Sequence, residues 1–356
     1  MRFVKFTQTY ERWLGCHLDV IKKDLNLKHQ RMAEGVFPFL RATYYRWASL
    51  WPNVCQDLES APAVLSVGDL HVENFGTWRD STGRLAWGVN DFDEAYYLPY
   101  TNDLVRLATS AQLASTHLSL PVAEACAAIL EGYSAAMESG GEPFVLEEKH
   151  AWLREAATSG LRDPVKFWSR IDALVPIKQG VPKAVRKLLR RALPQSSLDF
   201  EVFHRIAGLG SLGRPRFLVV ANWCGGKVAR EAKALAPSAC SFASGSEPPS
   251  KIHYSEITRQ AIRVSDPFMW VRDGWIVRRL APFCSRIELD ALSKKRDESR
   301  LLRAMGFETA NIHLGTKKAR KLIRRDLAER NPQWLLDAAN AMAKVVQIDW
   351  RAWRQR

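Results

Sequence analysis

The stretch that most limits how this chain can fold is GLGSLG, residues 208–213, together with the residues just after it. Gly208, Gly210 and Gly213 fit the spacing GxGxxG, which two unrelated phosphate-binding designs share. One of those designs must open a helix, because the ligand's pyrophosphate rests on the helix N-terminus. Here the glycines are followed by Arg214-Pro215 and then RFLVV, a β-branched run that favours a strand. The spacing therefore predicts strand, glycine loop, strand. Glycine suits such a loop because the backbone must turn sharply and approach a ligand closely. A plain hairpin turn is the alternative reading of the same six residues.

A chain of 356 residues has room for two domains or one large two-lobed domain. With 47% hydrophobic residues it can build a core without disulfide support. Its six cysteines are widely separated and form no CxxC pair, which argues against both a zinc site and a disulfide framework. No apolar signal region and no membrane-length apolar run is evident, so the expected location is the cytoplasm. The net charge of +14 favours an anionic partner. Much of that charge falls on amphipathic segments such as AVRKLLRRAL (184–193) and KKARKLIRRDL (317–327). These read either as solvated helix faces or as a surface for nucleic acid.

Two acidic stretches supply further chemistry. GDLHVENFG (68–76) comes after a short buried-strand pattern, AVLSV. NDFDEA (90–95) comes after a strand–turn–strand pattern, FGTWRDSTGRLAWGV. Phosphoryl transfer needs an Asp to orient the attacking hydroxyl, and an Asn and a second Asp to hold Mg²⁺ on the phosphates. Asp69 and Asn74 have the five-residue spacing of base and Asn in a kinase catalytic loop, and Asp91 comes next after a hairpin. Asp93 is a possible second metal ligand. His71 joins Asp69 as a candidate catalytic residue, more as one that orders the loop than as the base. Asp103, in NDLVRLA, opens a helix and is suited to bind catalytic-loop N–H groups. On the glycine-loop side, a Lys should hold the phosphates; Lys233, at the end of VAREAK, is preferred over Lys227. Glu256 is the candidate partner for that Lys. Each residue also has an ordinary reading: Asp69 and Asn74 as turn caps, Asp103 as a helix cap, or His71, Asp91 and Asp93 as a hydrolytic metal cluster.

Taken together, GDLHVENFG, NDFDEA and NDLVRLA resemble the catalytic segment of aminoglycoside-phosphotransferase-like kinases. The resemblance is closer still to a bacterial family known as domain of unknown function 2252. FPFLR (37–41), GLGSLG and KALAPS (233–238) match that family's other motifs, and the likeness runs from about Gln30 to Leu314. The family usually has Glu after the Lys, where this chain has Ala234. The resemblance implies an α+β, two-lobed, protein-kinase-like fold. Ordinary kinases place the glycine loop before the catalytic loop; here the order is reversed, which implies a circular permutation. The expected division is a helical segment over 1–62, a catalytic region over 63–199, a β-rich nucleotide region over 200–285 and returning helices over 286–356.

The expected activity is then an ATP- and Mg²⁺-dependent phosphotransferase acting on an unidentified, plausibly anionic acceptor. Asp69 and His71 would be catalytic, and Asn74, Asp91 and Asp93 would hold the metal. Gly208, Gly210, Ser211, Gly213 and Lys233 would bind the nucleotide, with Asp103 in support. Transfer of AMP, nucleotide binding without catalysis, and nucleic-acid binding are the alternatives.

Overall fold

The structure, a computed structural model, describes residues 2–114, 118–158, 163–246, 251–284 and 295–356. Helices α1 (Phe3–Gly15), α2 (Lys22–Glu34), α3 (Val36–Ala42) and α4 (Tyr44–Val54) come first. Strand β1 (Ala63–Ser66) leads into GDLHVENFG, β2 (Phe75–Arg79) and β3 (Leu85–Val89) form a hairpin, and β4 (Tyr96–Pro99) returns to pair with β1. Next come α5 (Tyr100–Leu113), α6 (Val122–Ser139), β5 (Phe144–Val145) beside β3, α7 (Ala151–Thr158), α8 (Pro164–Asp172) and α9 (Lys183–Ala192). The second half begins with β6 (Glu201–His204), β7 (Arg216–Trp223) and β8 (Gly226–Ala234). It continues through α10 (Ala239–Ser244), α11 (Tyr254–Gln260), β9 (Trp270–Arg272) and β10 (Trp275–Leu280). Helices α12 (Lys295–His313), α13 (Ala319–Glu329) and α14 (Trp334–Arg354) close the chain. The architecture is mixed α+β.

Helix α5 is the centre of the helical body. Every residue from Tyr100 to Ala111 is buried, and a helix covered on all sides belongs inside a core. Its neighbours include α6, α12 and α14, which lie side by side with it. The closest approach is between α6 and α12. A Cβ on Gly132 would fall 1.8 Å from the carbonyl of Arg303, and one on Gly306 would fall 2.0 Å from that of Ile129. The two glycines thus let the helix backbones touch. The same core takes in α1–α4 and the strands around GDLHVENFG.

The five-stranded antiparallel sheet has the order β6-β7-β8-β10-β9. The GLGSLG loop joins its first two strands, and Lys233 lies on the third. Cross-strand partners share a face: Lys233 stands opposite Arg216 and Ile276, and Glu231 opposite Leu218 and Arg278. Alternation puts Ala232, Phe217, Val219 and Val277 on the other face, where Val185, Leu188 and Leu189 of α9 cover them. On the inner face, Ile171 of α8 packs with Phe203, Leu218, Ala229 and Leu280.

This packing changes the division read from the sequence. Helices α8 and α9 precede residue 200, yet they pack on the five-stranded sheet. The apolar stripe of α9 needs a hydrophobic partner, and the outer sheet face provides one. The expected boundary at 285/286 lies outside the described residues. Among the described residues, no helix is long and apolar enough to cross a membrane.

The α6–α12 contact makes a direct prediction. Gly306→Ala must force two backbones apart, and such overpacking costs about 3 kcal/mol. The expected result is a melting temperature lowered by roughly 5 °C, read by circular dichroism; an unchanged value would mean that the helices do not approach this closely.

Candidate active site

GDLHVENFG leaves β1 and is held from below by α5. The Asp103 carboxylate accepts the N–H groups of Val67 at 2.7 Å and Gly68 at 2.9 Å. His313 of α12 stands 3.1 Å from the same carboxylate through Nε2, and its Nδ1 lies 2.8 Å from the hydroxyl of Tyr133. With His313 neutral, it donates to Asp103 and accepts from Tyr133. Asp103, His313 and Tyr133 are all fully buried. Gly68 is required at its position: its φ is +81°, and a Cβ there would fall 2.4 Å from the carbonyl of Glu94. The catalytic-loop candidate is therefore fastened to NDFDEA by close backbone contact.

Asp69, next in the chain, meets Arg106 of α5. Arg106 Nε donates to its Oδ1 at 2.9 Å, and Nη2 donates both to Asp69 and to the carbonyl of Leu40. The guanidinium is buried between the rings of Tyr44 and Trp47, at 4.9 and 4.8 Å from their centroids. Burial pushes the Asp69 carboxyl above its ordinary range, and Arg106 works against that rise. Asn74 spends its amide nitrogen on the carbonyls of Asp69 and Asp91, at 3.1 and 3.2 Å. His71 is buried with its ring edge-on to Phe37.

NDFDEA forms the other wall. Lys233 is buried, and its Nζ lies 3.1 Å from Asp91 Oδ1 and 2.7 Å from Asp93 Oδ1. Burial opposes ionisation of both acids. At Asp91 the attraction of Lys233, with that of Arg278, overcomes it and holds the carboxyl well below its usual range. At Asp93, burial and then the charge of Asp91 push the carboxyl up. Asp91 is the more open of the two, with 37% of its side chain exposed.

The glycine loop closes over these groups. Lys28 of α2 donates to the carbonyl of Gly210 at 2.8 Å, and burial pushes its amine down to about 8. A Cβ on Gly210 would fall 3.0 Å from the carbonyl of Arg41 and 3.4 Å from Asp69 Oδ2. Arg214, immediately after the loop, reaches Asp93 at 3.2 Å and Glu94 at 2.8 Å. The result is a cavity of about 880 Å³ lined by Asp69, His71, Asn74, Asp91, Asp93, Gly208, Gly210 and Ser211.

Several expectations are placed differently. Gly213 is outside the cavity lining: its carbonyl accepts from Ile21, and a Cβ on it would lie 3.5 Å from Leu25 of α2. The Ser211 hydroxyl turns back to the carbonyl of Gly208 and accepts from Arg216. Lys233 stands behind Asp91 and Asp93 rather than on the lining itself. Glu256 is not its partner, since it pairs with Lys251 and His253; the buried amine meets the NDFDEA carboxylates instead. Among the described residues, no three His, Cys, Asp or Glu side chains are grouped to hold a metal, so the hydrolytic cluster of His71, Asp91 and Asp93 is not formed.

Sequence reading assigned no role to Arg106, Arg214 or Glu231. An Arg inside the apolar run LVRLA carries its own signal, because a buried cation needs a carboxylate. Glu231 shares the strand parity of Lys233, which marks it as an inward charge.

Residues 20–164 match the family described as "Uncharacterized protein conserved in bacteria (DUF2252)". The match supports the bacterial-family resemblance over that span. It takes in FPFLR, GDLHVENFG, NDFDEA and Asp103, but not GLGSLG or Lys233. The family's description names no activity. No curated protein and no solved structure matches the chain.

Asp103→Ala tests the support beneath the loop. It strips two buried N–H groups of their acceptor, each worth about 1–3 kcal/mol. The amides of Val67 and Gly68 should then exchange with deuterium much faster; unchanged protection there would remove Asp103 from this role.

Proposed function

We propose that the cavity binds ATP with Mg²⁺ and transfers a phosphoryl group to a hydroxyl acceptor. The observation that carries this reading is convergence. Asp69, Asn74 and Asp91 come from one part of the chain, and Gly208 and Gly210 from another, yet all five line one cavity. Lys233 meets Asp91 from behind. The glycine loop between the first two strands, with the Lys on the third, is the placement that kinase-type phosphate binding uses. The order of these parts along the chain fits a circularly permuted lobe arrangement, with α12 packed under the catalytic loop.

In this reading, the acceptor oxygen attacks the γ-phosphorus, the bond from that phosphorus to the ADP oxygen breaks, and the acceptor proton passes to Asp69. Arg106 keeps the Asp69 carboxylate oriented and offsets the effect of burial. The donor set suits Mg²⁺, a hard cation that takes one or two carboxylates and completes its shell with phosphate oxygens and water. Asp91 faces the cavity, and the Asn74 amide nitrogen makes both of that side chain's hydrogen bonds among the described residues, which leaves the amide oxygen for an ion. Asp91 and Asn74 would hold the ion, with Asp93 behind them. When bound, it neutralises charge on the phosphates. Residues Phe167, Arg170, Ile171 and Leu174 also line the cavity, from α8 and the turn after it, where they could contact an acceptor.

A melting curve with ATP, with and without Mg²⁺, tests the site. Ligand at about 100 times its Kd stabilises by roughly 2.7 kcal/mol, a shift of about a few degrees in a chain of this size. The wild-type protein should shift only when Mg²⁺ is present, and Asp91→Asn should not shift. Asp69→Asn should still bind and lose about 10²–10⁴-fold in turnover. Absence of any nucleotide-dependent shift in the wild type would end this reading.

A further inference from the structure

The roof of the cavity carries a cluster that the proposed phosphoryl transfer does not use. Glu231 sits in the middle of the inner sheet face and is fully buried. Three arginines converge on its carboxylate. Arg216 Nη1 and Arg278 Nε each donate to Oε1 at 2.8 Å, and Arg205 Nη1 donates to Oε2. Arg216 also donates to the Ser211 hydroxyl in the glycine loop at 2.8 Å. All three arginines line the cavity, and Arg205 and Arg278 keep 30% and 23% of their side chains exposed there.

The charges do not balance. One carboxylate faces three guanidinium groups, so two positive charges are left over. The next carboxylate within their field is Asp91, which shares Lys233 with Asp93; it offsets part of that excess and still leaves the arginines in surplus. A cationic excess facing a cavity from partly buried side chains raises the local concentration of an anion that can complete it. Guanidinium forks match phosphate oxygens in geometry as well as charge.

The surroundings offer no apolar patch at the same place. The mid-face position carries Glu231 and its arginines instead. The apolar half of that face, Phe203, Leu218, Ala229 and Leu280, is already covered by Ile171 of α8.

We propose that Arg205, Arg216 and Arg278 form a phosphate-binding site on the cavity roof, distinct from the Asp91 and Asn74 site on the floor. Its ligand is a phosphate group carried either by a nucleotide or by a phosphorylated acceptor. The site itself stands without the phosphotransferase reading; only the choice between those two sources rests on it.

Isothermal titration with inorganic tripolyphosphate in EDTA, at low salt, tests the proposal. The wild-type protein should bind, and Arg278→Lys and Arg205→Gln should each weaken binding about tenfold or more, since each loses hydrogen bonds to a charged group. Asp91→Asn should bind at least as tightly, because the metal side plays no part. Circular dichroism on both arginine variants separates lost binding from lost folding; Arg205, at the strand end, is the safer substitution. No binding by the wild type, or equal binding by two folded arginine variants, would overturn the site. A second titration in saturating ATP and Mg²⁺ identifies the source. Competition assigns the roof to nucleotide phosphate, and simultaneous binding assigns it to a phosphorylated acceptor; each outcome supports the site. Loss of the ATP–Mg²⁺ thermal shift with tripolyphosphate binding retained would defeat the phosphotransferase reading alone.

Discussion

The buried amine of Lys233, set between Asp91 and Asp93, is the interaction on which the rest of the arrangement depends. It joins the five-stranded sheet to the segment NDFDEA. Neither Asp93 nor the Lys is buried alone, so each side needs the other. Arg214 repeats the link a short distance away by binding Asp93 and Glu94. Lys28 then draws the glycine loop toward α2. Removing one partner of such a set leaves an uncompensated buried charge, so the two walls of the cavity are held together by electrostatics as well as by packing.

Beneath that link, the chain builds a rigid floor. α5 is buried on all sides and offers upward, among its polar side chains, Asp103 to the loop backbone and Arg106 to the loop's Asp. They lie three residues apart and so share a helix face. α12 completes the support through His313 and Glu308. Glu308 accepts from the N–H of Val89 at 3.3 Å, and burial pushes its carboxyl up to about 7. The floor is therefore assembled from the first third and the later part of the chain, while the roof comes from residues between them.

Much of this was legible in the sequence, for identifiable reasons. The β-branched run RFLVV announces the sheet, because strand chemistry is local. The paired glycine, aspartate and asparagine spacings announce the loops. The sheet-bound place of α8 and α9 was not legible, since an amphipathic stripe states that a partner exists and not which one. Lys233 was found by strand parity, but its partners were not. Glu256 was chosen by analogy, and the fold instead supplied Asp93 and Asp91, the latter 142 positions away in the chain. The arginine cluster on Glu231 escaped for the same reason. Arg205, Arg216 and Arg278 are far apart in the sequence, and only the sheet register brings them together.

The central claim is that one cavity holds nucleotide phosphates and a divalent cation between the glycine loop and Asp91. Manganese in place of magnesium, with a non-hydrolysable ATP analogue, would locate the ion directly by its anomalous X-ray scattering. The account predicts a manganese peak in direct coordination with an Asp91 oxygen, with the triphosphate between that ion and the glycine loop. A manganese ion bound elsewhere, or a nucleotide outside the cavity, would contradict it.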